Sequence, residues 1–469
     1  MLLSSPVYFV FLAGIFLLYW SAARRRTLTL AVVLFANYFF YARWDLFYLL
    51  LVPAASSCDF FIARALEAAQ RTWLRRLLVA LSLTVNLGIL VSLKYMPFAL
   101  ENYARLAGTE APLWRWVFPL GLSFYAFQAL TYTIDVYRRD ARASSSYLAY
   151  LAAVSFFPTT LAGPITRVAV LLPQLDRGQR TLEEADGGRA LFLIGLGLTK
   201  KLLIADYLGA NLVDRVFDFP NLYSGLEVLA GVYAYALQIY YDFSGYTDIA
   251  TGSALLLGIK LPENFRRPYA AASIPDFWRR WHITLSNWLR DYLYFSLPGL
   301  RSKYKAFTYV NLMVTMLLGG LWHGASWNFA LWGLLHGGGL ALSRAWQSWR
   351  GNPRPGAHWA TRTMKGALTA QFVAFAWIFF RAQDFSGAAA VLARIASGTV
   401  SAANLSTPLV AVFLAALSAH YIPRSWFDRV REAYAAAPFY AQAAALFLLA
   451  LSLRHLAGAG AAPFIYTRF

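Results

Sequence analysis

The chain has 469 residues, of which 59% are hydrophobic, 17% aromatic and only 14% charged. That balance excludes an ordinary soluble domain and indicates a polytopic membrane protein. In so apolar a chain the formal net charge of +19 marks loops against anionic lipid headgroups, with any surplus open to an anionic ligand; it does not point to nucleic acid.

Apolar stretches of spanning length recur at 7–21, 27–42, 46–66, 77–93, 117–136, 148–161, 190–204, 226–243, 307–321, 327–342, 367–380, 408–417 and 437–453. They predict an all-α bundle of about 10 to 13 hydrophobic segments, some short enough to be re-entrant or interfacial. The first stretch lacks a small-residue cleavage site and is followed by Arg24, Arg25 and Arg26, so it reads as a retained anchor. The positive-inside rule places those arginines in the cytoplasm, followed by a cytoplasmic turn at 71–76, an outer loop at 101–115 and a return at Arg138 and Arg139. Positive charge then flanks the stretch 148–161 on both sides, which asks for a re-entrant hairpin whose tip holds Pro158, Leu161, Ala162, Gly163 and Pro164. The single cysteine, Cys58, excludes an intrachain disulfide and a cysteine metal cluster. No segment has the length and polarity of a soluble domain, so residues 1–469 read as one membrane domain. Its middle, about 119–340, crowds polar and aromatic residues into apolar helices and is where function is expected.

Three clusters in that middle carry chemistry. Asp242 and Asp248 lie in an aromatic, serine-containing stretch and are expected to pair with the arginines at 266, 267, 279 and 280, with a proton relay or a ligand pair as the other options. From Pro275 to Tyr294 the spacing predicts one helix, capped by Ser273 or Asp276, with Trp281, Leu285, Trp288 and Tyr292 on one face and Trp278, His282 and Ser286 on another. Its charges suit an interfacial helix or one inside the bundle along a wet cavity. His323 stands between Trp322 and Gly324 in a long apolar run, where an ionisable ring needs either a packing partner or a chemical role. His282 and His323 can act as a general base and its orienting partner. Zinc is a weak alternative, because no HExxH pattern and no further His or Cys cluster joins them. His336 reads as a helix-packing or cytoplasmic-side residue, and His358, His420 and His455 as solvated rings near loops or helix ends. There is no P-loop, no GxSxG elbow and no dinucleotide fingerprint. A transporter using His and Asp as a proton relay is the alternative of a different class, although no inverted repeat is evident.

The stretch from Phe277 to Leu297, followed by Leu321-Trp322-His323-Gly324, resembles the membrane-bound O-acyltransferase family, in particular its bacterial alginate-acetylating branch. The resemblance runs nearly the whole chain, through Gly121 to Arg138, Phe157 to Ile165, Thr199 to Asp206, Asp242 to Tyr246 and the terminal Phe464, Ile465 and Tyr466. It implies a helical bundle around a tunnel, with His323 near its middle and His282 toward the cytoplasm, in a bacterial inner membrane. It implies acetyl transfer from a cytoplasmic thioester such as acetyl-CoA, with no tightly bound cofactor or metal, to an exported, alginate-like polysaccharide. D-alanyl transfer and peptidoglycan O-acylation are the alternatives within the enzyme class. His323 and His282 are then the catalytic candidates, Trp322, Ser286 and Asp242 supporting residues, and Lys200, Lys201, Arg279 and Arg280 candidate contacts to donor phosphates or lipid headgroups. An extracytoplasmic partner resembling SGNH serine hydrolases is expected to finish the transfer.

Overall fold

The computed structural model describes residues 2–42, 46–114, 116, 118–119, 121–160, 163–177, 181–299, 304, 306–350, 359–456 and 464. Among these, every regular element is helical. Arg115, Leu161, Ala162, His358, Ile465 and Tyr466 lie outside the described residues. Among the described residues, three helices are long and apolar enough to cross a membrane: Leu49–Ala68, Thr72–Ala107 and Trp359–Arg381. A fourth span results if Arg424–Ala435 and Phe439–His455, bent by 117°, count as one. The protein is multi-pass, and other apolar stretches form shorter apolar helices, among them Pro6–Ala22, Arg26–Ala42 and Thr407–Tyr421. The helix from Thr72 runs without interruption to Ala107, so the outer loop expected at 101–115 begins later. The stretch 148–161 is cut after Val154.

The chain divides into two compact units, residues 1–194 with 247–262, and residues 195–246 with 263–469. In the first, buried polar side chains satisfy backbone that the helices leave open, which matters most where water is scarce. Asn37 bridges the break after Val154: its amide nitrogen donates to the Ala152 carbonyl at 3.2 Å, and its oxygen accepts the Phe157 amide at 2.9 Å. The buried Arg75, in the segment 71–76, donates to the carbonyls of Leu66, Val136 and Tyr137. It thereby ties together the C-terminal ends of helices Leu46–Ala68 and Leu122–Arg138, where the helix dipole favours a cation.

In the second unit, helices Ala306–His323 and Trp327–Arg350 form a hairpin turned at residues 324–326. Two glycines set their approach. A Cβ on Gly320 would stand 2.2 Å from the Phe329 carbonyl oxygen, and one on Gly333 would stand 2.3 Å from that of Met316. Small residues let membrane helices approach backbone to backbone. Helix Trp359–Arg381 packs on the hairpin through Trp377, stacked on Trp332 with ring centroids 5.6 Å apart, and through Phe380.

Candidate active site

The segment 263–296 is not the single helix expected over 275–294. The Ser273 hydroxyl accepts the Asp276 amide at 3.2 Å and Pro275 fits the first turn, as the sequence indicates, but this helix, Ile274–Trp278, is only five residues long. A second helix, Ile283–Trp288, starts after His282, whose backbone is left-handed with φ 41°. A tertiary partner explains the break. The Arg266 amide donates to the Arg280 carbonyl, and the Ile283 amide to the Asn264 carbonyl, each at 2.9 Å. These bonds hold the chain at 280–283 against an extended neighbour, where a continuous helix would need the same groups for itself.

His282 is fully buried. Its Nδ1 lies 3.2 Å from Asn264 Oδ1, the same oxygen that accepts the Thr284 amide at 3.2 Å and the Thr284 hydroxyl at 2.8 Å. Phe243 meets the imidazole edge to face at 4.7 Å between centroids, and Phe265 and Trp322 lie at 6.4 and 6.1 Å. His323, 4% exposed, ends helix Ala306–His323 with Trp322 at 4.9 Å, Trp332 at 5.1 Å and Phe380 at 5.2 Å. Trp322 thus stands beside both imidazoles, and the two histidines share one aromatic neighbourhood although 41 positions separate them.

His336 continues this aromatic packing. It is completely buried, 4.7 Å from the Trp332 ring, and its Nδ1 accepts the Trp278 indole N–H at 3.3 Å. It is a helix-packing residue. His420 departs from the solvated role expected of it. It is buried against Tyr240 and Tyr269, and its Nε2 accepts the Tyr269 amide at 3.2 Å. His455 is exposed.

The ionic side of the region differs from expectation as well. Asp242 forms an ion pair, but with Lys201, at 2.5 Å, instead of an arginine. Lys201 Nζ also meets Asp206 at 2.7 Å and lies over the Tyr246 ring. Lys201 sits in a π-helical segment, Thr199–Ala205, and a Cβ on Gly245 would stand 2.8 Å from the Gly197 carbonyl oxygen, so that glycine permits the approach. Read from the sequence as a candidate phosphate contact, Lys201 is buried and engaged by carboxylates; Lys200 beside it is half-buried. Arg279 is largely exposed and Arg280 half-buried, and both pair with Asp276, at 3.4 and 3.0 Å. Burial pushes the Asp276 carboxyl up, but hydrogen bonds from Arg280 and the Ala272 amide, with the charges of both arginines, outweigh it and leave the group below its ordinary range. Arg266 pairs with Glu263, and the Ser286 hydroxyl donates to the Trp281 carbonyl at 3.2 Å. Asn264 escaped the sequence argument, because an asparagine in a Pro- and Arg-rich loop carries no spacing signal linking it to a histidine 18 positions later.

Among the described residues, no group of three or more His, Cys, Asp or Glu side chains could hold a metal ion. The model of the membrane-bound O-acyltransferase family matches residues 137–383, which include both histidines. The chain is similar to the probable alginate O-acetylase AlgI of Pseudomonas aeruginosa, 38% identical over 394 residues that cover 82% of this chain and 72% of that protein. It is similar to the peptidoglycan O-acetyltransferase of Helicobacter pylori, 36% identical over 382 residues, covering 76% and 72%. To the teichoic acid D-alanyltransferase of Bacillus subtilis the identity is 27% over 280 residues, covering 57% and 69%. The chain belongs to the membrane-bound O-acyltransferase family, and is a membrane acyltransferase related to the bacterial alginate O-acetylases.

Proposed function

We propose that this protein is an O-acetyltransferase of a bacterial cytoplasmic membrane, moving an acetyl group from a cytoplasmic thioester, acetyl-CoA, toward an exported alginate-like polysaccharide. The observation that carries the proposal is the pair of buried imidazoles, His282 and His323, flanking Trp322, in a chain 38% identical to an alginate O-acetylase. A thioester is already activated. The protein needs only to orient it, take the proton from an attacking hydroxyl, and return a proton to the departing thiolate as the C–S bond breaks and the C–O bond forms. His323 is the proposed base and His282 its partner in the same aromatic pocket. The tunnel implied by the family passes both rings in this proposal. The exposed Arg279 and half-buried Arg280 remain the better placed of the candidate phosphate contacts.

No segment of the chain offers a soluble domain to hold a polysaccharide. An extracytoplasmic partner with a serine nucleophile therefore completes the transfer in this proposal. The H. pylori relative, at 36% identity, supports peptidoglycan as the second acceptor to test.

Purified protein is expected to release labelled acetyl groups from acetyl-CoA in detergent, where no gradient exists. Label taken only from a D-alanyl-loaded carrier protein would refute acetyl transfer. The variant His323→Ala is expected to lose roughly 10²- to 10⁴-fold in turnover, the range for a positioned base, while inserting and folding normally. Near-normal turnover by that variant would make His323 a packing residue.

A further inference from the structure

We infer that Asn264 is a positioning residue that holds His282 as its Nδ1–H tautomer, so that the lone pair of the neutral ring lies on Nε2. The argument starts from Thr284. Its backbone amide, which can only donate, lies 3.2 Å from the Asn264 side-chain atom facing it, so that atom must be the carbonyl oxygen and not the amide nitrogen. The Thr284 hydroxyl, 2.8 Å from the same atom, fits the same assignment as a second donor. An oxygen so placed can only accept, and His282 Nδ1 approaches it at 3.2 Å. Nδ1 therefore carries the hydrogen. The Asn264 carbonyl also accepts the Ile283 amide at 2.9 Å, so this one residue fixes the backbone on the far side of His282 as well as the ring.

The tautomer decides what His282 can do. A neutral ring protonated on Nδ1 offers Nε2 as a proton acceptor and cannot use Nε2 to donate to a developing oxyanion. His282 is thus assigned an accepting role toward a substrate hydroxyl or toward the proton that His323 handles. That consequence rests on the proposed acyl transfer; the tautomer itself does not.

The full-length protein, labelled with 15N-histidine and kept in detergent, gives a direct test. Loss of one resonance pair in His282→Asn assigns the ring. The wild-type ring is expected to show a protonated Nδ1 and a bare Nε2, as are Asn264→Asp, which keeps the acceptor oxygen, and Thr284→Val, which removes one competing donor. Asn264→Leu is expected to give mixed or reversed tautomers. Its kcat should fall by about 10- to 100-fold, as when a metal-bound histidine loses its orienting partner, with KM for acetyl-CoA within about twofold. A wild-type ring protonated on Nε2 overturns the inference, as does an unchanged tautomer in Asn264→Leu. The expected tautomer in a protein that turns over no thioester would support the role of Asn264 while refuting the acyl-transfer proposal.

Discussion

Lys201 holds a buried ammonium between the carboxylates of Asp206 and Asp242. Removing the cation would leave two desolvated anions facing each other, and breaking a buried pair costs about 3–5 kcal/mol. Lys201→Met is therefore expected to lower the thermal midpoint in detergent sharply, and Asp242→Asn added to it should recover part of the loss. A midpoint unchanged in the single variant would mean that the cluster contributes no net stability. Asp276 makes a different prediction. Its folded-state carboxyl lies below its ordinary range, so its contribution is complete above the unfolded-state value and disappears as pH falls through the folded one. Acid titration of thermal stability should lose part of its slope in Asp276→Asn. That Asp242 would be ion-paired was legible in the sequence; its partner was not, because the π-helical turn that brings Lys201 to it follows from packing against Gly245 and not from local propensity.

At the level of helices, hydropathy located apolar elements well where they stand alone. Stretches 7–21 and 27–42 became Pro6–Ala22 and Arg26–Ala42 within a few residues. It failed at 275–294, where Trp281, Leu285, Trp288 and Tyr292 are all buried as a helical face requires, yet bonds from the loop at 264–266 interrupt the helix at His282. A period of 3.6 is visible in a sequence, whereas competing partners such as Arg266 for Arg280 and Asn264 for Ile283 are not. The small-residue contact between Ala306–His323 and Trp327–Arg350 gives a prediction at this level. Gly333→Leu places side-chain atoms where the Met316 carbonyl stands, and must separate the helices or shift one along the other. It is expected to destabilise by at least about 1–3 kcal/mol, the usual cost of overpacking. Turnover should fall too, because His323 ends the displaced helix. Wild-type turnover and stability together would show that the close approach is dispensable.

Over the whole molecule, 42 Lys and Arg stand against 23 Asp and Glu. Arg24 and Arg25, exposed between the first two helices, are free to meet lipid phosphates. Nanodiscs with anionic lipid should raise the thermal midpoint relative to zwitterionic ones, and Arg24→Glu with Arg25→Glu should reduce that difference. Added salt should reduce it as well, since the Debye length shrinks from about 10 Å at 0.1 M to about 3 Å at 1 M. An identical midpoint in both lipids would assign the positive charge to some other purpose.

The left-handed backbone at position 282 also bears on how this enzyme can change over generations. Most side chains pay about 1–2 kcal/mol to sit in that conformation, and only glycine, asparagine and aspartate visit it routinely. Alanine, the usual neutral replacement, would mix a backbone penalty with the loss of an imidazole. A descendant gene released from selection for activity has few quiet exits at this site. Glycine or asparagine at 282, with Asn264 and Thr284 still in place, would be the fossil of a once-active lineage.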